Sequence, residues 1–180
     1  MRHKTDEQLL QELCSGHTEI MAIIYERYKQ PLYSFSLRMI KNEQAAEDVV
    51  HETIVKLMSR CRDITNTEAL KSWMFAVARN ECLSFLKKES RREEVEEDSL
   101  WEDEKDLFEN DERAEIIQAR IENLKTEYRE VILLREFEQL SYEEIAQITN
   151  CTVSSVKSRL FKARKVLMVK LKPYFNERNL

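Results

Sequence analysis

The stretch Ser141-Tyr142-Glu143-Glu144-Ile145-Ala146-Gln147-Ile148-Thr149-Asn150-Cys151-Thr152-Val153-Ser154-Ser155-Val156-Lys157-Ser158-Arg159-Leu160-Phe161-Lys162-Ala163-Arg164 decides the fold. Ser141 with Glu144 three residues on, ahead of Ile145, Ala146 and Ile148, is a capping box and predicts a short helix. Asn150 stands where that helix must turn, and asparagine tolerates the left-handed conformation better than most residues. Thr152 can cap a second helix running to about residue 171. At about 100° per residue, Val156, Leu160, Ala163, Leu167 and Leu171 line one apolar stripe. Ser154, Ser155, Ser158, Lys162 and Lys165 point the other way, with Lys157, Arg159 and Arg164 flanking the stripe. From Cys151 to Lys172 there are seven Lys or Arg and no acid. A short helix, a tight turn and a longer basic helix make a helix-turn-helix over about residues 141–162. Phe161 falls on its polar face, where no core demands it and a thymine methyl could meet it.

Outward from that unit the composition is equally one-sided. The 180 residues hold one glycine, Gly16, where ordinary usage would give about a dozen, and two prolines, Pro31 and Pro173. Glycine-rich phosphate loops and turn-dense β architectures are excluded, and the class is all-α. Charge divides the chain further. Residues 1–92 carry 15 basic and 13 acidic side chains, residues 93–113 carry 2 and 12, and residues 114–180 carry 12 and 9. Two mildly basic blocks are joined by an acidic strap that cannot bury enough surface to fold alone. Trp101, Leu107 and Phe108 are unusual in a plain tether and give it groups that can dock.

Apolar periodicity predicts four helices before the strap, over about 5–14, 18–40, 43–60 and 67–92, the second broken or bent at Pro31. After it come helices over about 111–123 and 127–138, the latter capped by Thr126, ahead of the helix-turn-helix. The apolar runs are far short of the roughly 20 residues that span a bilayer, and the N-terminus does not read as a signal peptide. Cys14, Cys61, Cys82 and Cys151 stand in no paired spacing and read as reduced thiols of a cytoplasmic protein. His3, His17 and His51 lie in separate elements with no ligand spacing and no nucleophile beside them, so no metal, cofactor or catalytic site is expected.

Ser141–Ala146 followed by Val156–Arg164 resembles region four of bacterial RNA polymerase sigma factors. Upstream, Ala46-Glu47-Asp48-Val49-Val50-His51-Glu52-Thr53 is similar to the polymerase-binding helix of sigma region two. Ser72-Trp73-Met74-Phe75-Ala76-Val77-Ala78-Arg79-Asn80 resembles the segment that engages the −10 element. Length and spacing point to the extracytoplasmic-function (ECF) group, with departures at His17, His51, Ala76, Lys125 and Ser154-Ser155. The resemblance implies two small helical domains, a four-helix region two over 1–92 and a region four over 114–180, joined by the acidic linker 93–113.

It also implies partners: core RNA polymerase through the β′ clamp helices and the β flap, promoter DNA, and an anti-sigma factor. The face with Asp48, His51, Glu52 and Val55 would dock on polymerase. Arg60, Arg62, the loop Asp63–Glu68, Asn80, Ser84, Lys87 and Lys88 would handle the −10 element. Ser154, Ser155, Lys157, Ser158, Arg159, Phe161, Lys162 and Lys165 would read the −35 element. Trp73, Phe75 and Phe85 are expected in the core rather than as stacking platforms. The competing reading is a helix-turn-helix regulator that is no polymerase subunit.

Overall fold

The computed structural model describes residues 4–64, 70–93 and 113–175, and every regular element among them is helical. The linker with Trp101, Leu107 and Phe108, and residues 65–68 of the loop Asp63–Glu68 expected beside the −10 element, lie outside the described residues.

Four helices form the N-terminal half. Thr5 caps α1 (Asp6–Cys14) with a capping box through Gln8. Helix α2 (Ile20–Ile40) ends at Lys41, whose φ of 56° is left-handed. The Asn42 side chain caps α3 (Glu43–Arg60), accepting from the Ala45 N–H at 2.9 Å. A 3-10 turn (Cys61–Asp63) follows, and α4 (Leu70–Glu93) closes the half. Their inward faces bury Leu10, Ile24, Leu32, Met39, Leu57, Leu70 and Met74. Phe35 and Phe75 meet there edge to face, with centroids 5.4 Å apart.

Of the break or bend expected at Pro31, the break does not occur: one helix runs through it. An interior proline costs a helix about 3 kcal/mol. Here the buried stripe Ile24, Tyr28, Leu32, Phe35 and Met39 continues on both sides of it.

The C-terminal half holds α5 (Arg113–Glu122), α6 (Thr126–Ile132), α7 (Tyr142–Thr149) and α8 (Val153–Phe175). Thr126 is not the cap of α6. Lys125 occupies that position, without a side-chain bond, and Thr126 is already inside the helix. The expected continuous helix to 138 also changes character, because Leu133–Phe137 form a π turn. The Glu138 N–H bonds the Leu133 carbonyl five residues back, at 3.2 Å. This wider turn buries Leu133 and Leu134 and leads into the left-handed Gln139 before α7.

The two halves pack together, and the buried apolar residues form one continuous cluster from Leu9 to Leu167. Helix α7 lies on the first half of α4, and α5 and α6 on α2. Polar bonds cross the junction. Ser72 Oγ donates to Glu144 Oε1 at 2.9 Å, Lys71 Nζ to the Glu138 carbonyl at 2.6 Å, and Arg129 Nη1 to the Met39 carbonyl at 2.6 Å. Arg38 Nε donates to Gln118 Oε1 at 2.7 Å. No helix among the described residues is long and apolar enough to cross a membrane.

Candidate nucleic-acid interface

The turn between α7 and α8 is built as the local sequence dictates. Ser141 and Glu144 exchange both capping-box bonds, at 3.2 and 2.7 Å. Asn150 takes φ 50° and ψ 51°, and the Cys151 N–H returns to the Ala146 carbonyl at 3.0 Å. Thr152 Oγ1 then accepts the Ser155 N–H at 3.1 Å and starts α8. Burial opposes ionisation of Glu144, but bonds from the Ser141 N–H and hydroxyl and from Ser72, with Lys71 nearby, hold its carboxyl below the usual range.

Val156, Leu160, Ala163 and Leu167 are buried, so the apolar stripe of α8 faces inward. Ser154, Lys157, Ser158, Phe161, Lys162 and Lys165 are exposed on the outer face, and Ser155 is half-buried at its edge. Phe161 is 68% exposed, an unusual state for an aromatic with nothing covering it. Lys157 stands over the Tyr142 ring, 5.8 Å from its centroid, with Arg135 also 5.0 Å from that ring.

The two flanking arginines are engaged. Arg164 pairs with Glu136 at 2.6 Å. Arg159 is half-buried, with Nη1 3.3 Å from Glu130 Oε1 and Nε 4.0 Å from Glu127. Among the described residues, Arg159 is the one member of the expected −35 set bound to an acid.

On α3, Asp48, His51 and Val55 are exposed and Glu52 is half-buried. Asp48, His51 and Glu52 line a groove of about 590 Å³ between α3 and α4, opposite Ser84, Phe85 and Lys88. Residues expected to face polymerase and residues expected to face DNA thus share one cleft. Lys56 bridges its edge, bonded to Glu81 and 3.6 Å from Glu52. His51 also lines a second groove, of about 430 Å³, with Tyr25, Lys29, Tyr33 and Ile54. Arg60, Arg62, Asn80 and Lys87 are exposed but line neither groove. Phe75 is fully buried, as expected of a core residue, while Trp73 and Phe85 are half-buried against the core.

Two features escaped the sequence reading. Met168 and Val169, 71% and 66% exposed, carry apolar surface along α8 beyond Phe161. Their signal was periodicity, since both fall outside the stripe. The other is Glu130, 2% exposed and bound to Arg79 by two bonds, at 2.7 and 3.3 Å. Its signal was a carboxylate in helical phase with Leu134 and Leu133, a position that is rarely acidic unless paired.

A helix-turn-helix with an open basic face, packed against a second four-helix unit bearing an acidic groove, defines a two-part DNA-binding protein. The pattern "Sigma-70 region 2" matches residues 24–92, and "Sigma-70, region 4" matches residues 114–167. RNA polymerase sigma factor SigV of Bacillus subtilis is 30% identical over 144 residues, covering 80% of this chain and 86% of that protein. The ECF RNA polymerase sigma-E factor of Haemophilus influenzae is 29% identical over 184 residues, covering 94% of this chain and 96% of its own. CnrH, solved in complex with the cytosolic domain of CnrY, shares the fold at a TM-score of 0.71 and 20% identity, over 94% of this chain and 99% of that one. The chain belongs to the sigma-70 family of RNA polymerase sigma factors, in its ECF group. The match of both regions sets aside a regulator that is no polymerase subunit.

Proposed function

We propose that residues 1–92 bind core polymerase and handle the −10 element, that residues 114–180 read the −35 element, and that 93–113 link them. Asp48, His51, Glu52 and Val55 dock on the β′ clamp helices, using an acidic face flanked by apolar surface. Arg60, Arg62, Asn80, Ser84, Lys87 and Lys88 hold the −10 strand, where cations meet phosphates and Asn80 can bond a base edge. Ser154, Ser155, Lys157, Ser158, Arg159, Phe161, Lys162 and Lys165 enter the −35 major groove, while region four also meets the β flap. An anti-sigma factor is a further partner. CnrH was solved with CnrY, and the sigma factor RpoE of Bartonella quintana with the anti-sigma factor NepR. The protein acts in the cytoplasm and carries out no catalysis of its own.

The observation that carries this reading is the exposed face of α8: serines, lysines and one bare phenylalanine, with every stripe residue turned inward. Transcription in vitro from a library of promoter sequences, with core polymerase and this protein, tests it. Transcripts whose templates share fixed −35 and −10 sequences are expected. Initiation no different from that of core polymerase alone overturns it.

A further inference from the structure

We propose that Cys14 and Cys61 form a reversible disulfide that ties the end of α1 to the Cys61–Asp63 turn and weakens the hold of Arg60 and Arg62 on the −10 strand. The inference rests on the −10 role proposed above for those two arginines.

The fold brings together two cysteines that stand far apart along the chain. Cys14 is the last residue of α1 and Cys61 the first of the turn, and α1 packs against that turn. Their side chains interact directly, with the Arg62 charge close enough to act on the Cys14 thiol. Cys61 is buried in the core, whereas Cys14 is half-buried at its edge and open to a small oxidant. The other two thiols are placed differently. Cys82 is buried beside Ser36, and Cys151 sits 3.1 Å from Thr149 Oγ1 in the turn between α7 and α8.

The chemistry needs an oxidant of the peroxide class. The Cys14 thiolate takes an oxygen from hydrogen peroxide, hydroxide leaves, and a sulfenic acid forms. The Cys61 thiolate then attacks that sulfur, the S–S bond forms, and a second hydroxide leaves. The two thiol protons convert both hydroxides to water, and a small-molecule thiol reverses the bond by exchange. Burial and the facing Cys61 push the Cys14 thiol up to about 11, with Arg62 working against them. The thiolate is the reacting form, so oxidation is slow near neutral pH and quickens as pH rises.

The consequence falls on the turn. Two thiols in contact stand farther apart than two bonded sulfurs, so closing the bond draws Cys61 toward α1. Arg60 and Arg62 flank Cys61 and are both exposed, so they are displaced with it and fixed there. Phosphate contacts depend on position, and a displaced pair of cations holds the strand less well.

Peroxide treatment of the full chain, then alkylation of the remaining thiols and peptide mapping, reads the bond without polymerase or DNA. A linked Cys14–Cys61 peptide is expected, with Cys82 and Cys151 still alkylated, and its yield should climb with pH. Cys14→Ser should give no such peptide, and Cys61→Ala serves as a second variant should Cys14→Ser lose helicity. A wild-type chain without the linked peptide, or with a bond to Cys82 or Cys151 in its place, overturns the disulfide. The second readout is binding of a single-stranded non-template −10 oligonucleotide. The oxidised chain should bind several-fold more weakly, dithiothreitol should restore binding, and peroxide should leave binding by Cys14→Ser unchanged. An oxidised chain that carries the bond and binds as tightly as the reduced one overturns the bond as a control on the −10 turn. Binding and transcription by the reduced wild-type chain are scored separately, so failure of the disulfide and failure of the −10 assignment are told apart.

Discussion

Helices α4 and α8 are both assigned to DNA, yet they meet the solvent differently. Along α8 the whole outer face from Ser154 to Lys165 is open except at Arg159. Along α4, Lys71, Ser72 and Arg79 are bonded to region four, while Asn80, Ser84, Lys87 and Lys88 are exposed. Both proposed DNA faces are therefore open, but α4 alone also carries contacts between the two halves. Duplex reading needs a helix with exposed side chains at base edges, whereas holding unstacked bases needs cations and polar groups beside a pocket.

The largest expected effect tests the side of the N-terminal half that is already free. Asp48→Arg sits on an exposed face, so helicity should be unchanged. A reversed charge at a complementary interface costs several kcal/mol, so association with core polymerase should fall about a hundredfold in a competition assay. A variant that competes as well as wild type breaks the assignment of the α3 face and leaves the grooves without a role.

Next comes a reader on α8. Lys157 is exposed and steadied over Tyr142. Lys157→Ala should cost on the order of 1–3 kcal/mol at preferred −35 sites and relax the choice of base. Binding measured across a −35 library decides it. A uniform loss with unchanged preference would make Lys157 a phosphate contact instead.

How much of this was legible in the chain depends on distance along it. Ser141 with Glu144, Asn150, Thr152 and the Val156–Leu167 stripe are readable because each interaction closes within a few residues. Helix α6 was legible as a helix but not in its start, since Lys125 takes the cap that Thr126 was expected to provide. Its π turn depends on how Leu133 and Leu134 are buried, which no local rule gives. The junction was invisible. Ser72 meets Glu144 across 72 residues and Arg79 meets Glu130 across 51, and no periodicity links such positions. Most candidate site residues lie on exposed faces, with Glu52, Ser155 and Arg159 half-buried, but the sequence did not reveal that Ser84 and Lys88 share a groove with Asp48 and His51.

A smaller effect probes the capping box where it touches both halves. Losing a serine N-cap costs about 1 kcal/mol, so Ser141→Ala should lower the unfolding free energy by that amount in a denaturant titration. Glu144 adds a pH dependence of known sign. Its carboxyl is held below the ordinary range, so its contribution is present above that range and lost as pH falls through the depressed value. Glu138 works the other way, because burial raises its carboxyl and acidification favours its folded form. Glu144→Gln should flatten the loss of thermal stability on the acid side, below the usual glutamate range. An unchanged acid limb would assign that loss to other carboxylates.

The smallest expected effect separates readers from positioners within α8 itself. Lys170 lies two turns beyond Lys162, is exposed, and follows the segment whose outer face meets base edges. Beyond that segment a helix crossing the groove moves toward the backbone, so a lysine there meets phosphate oxygens common to every sequence. Each such contact releases condensed counterions and contributes roughly 0.9 to the slope of log affinity against log salt. Lys170→Ala should therefore weaken all promoters alike, flatten that slope by about one contact, and leave the −35 preference where Lys157 set it. Measured over the same library at several salt concentrations, a shift in base preference with an unchanged slope would move the boundary between reading and positioning a full turn or more toward the C-terminus of α8.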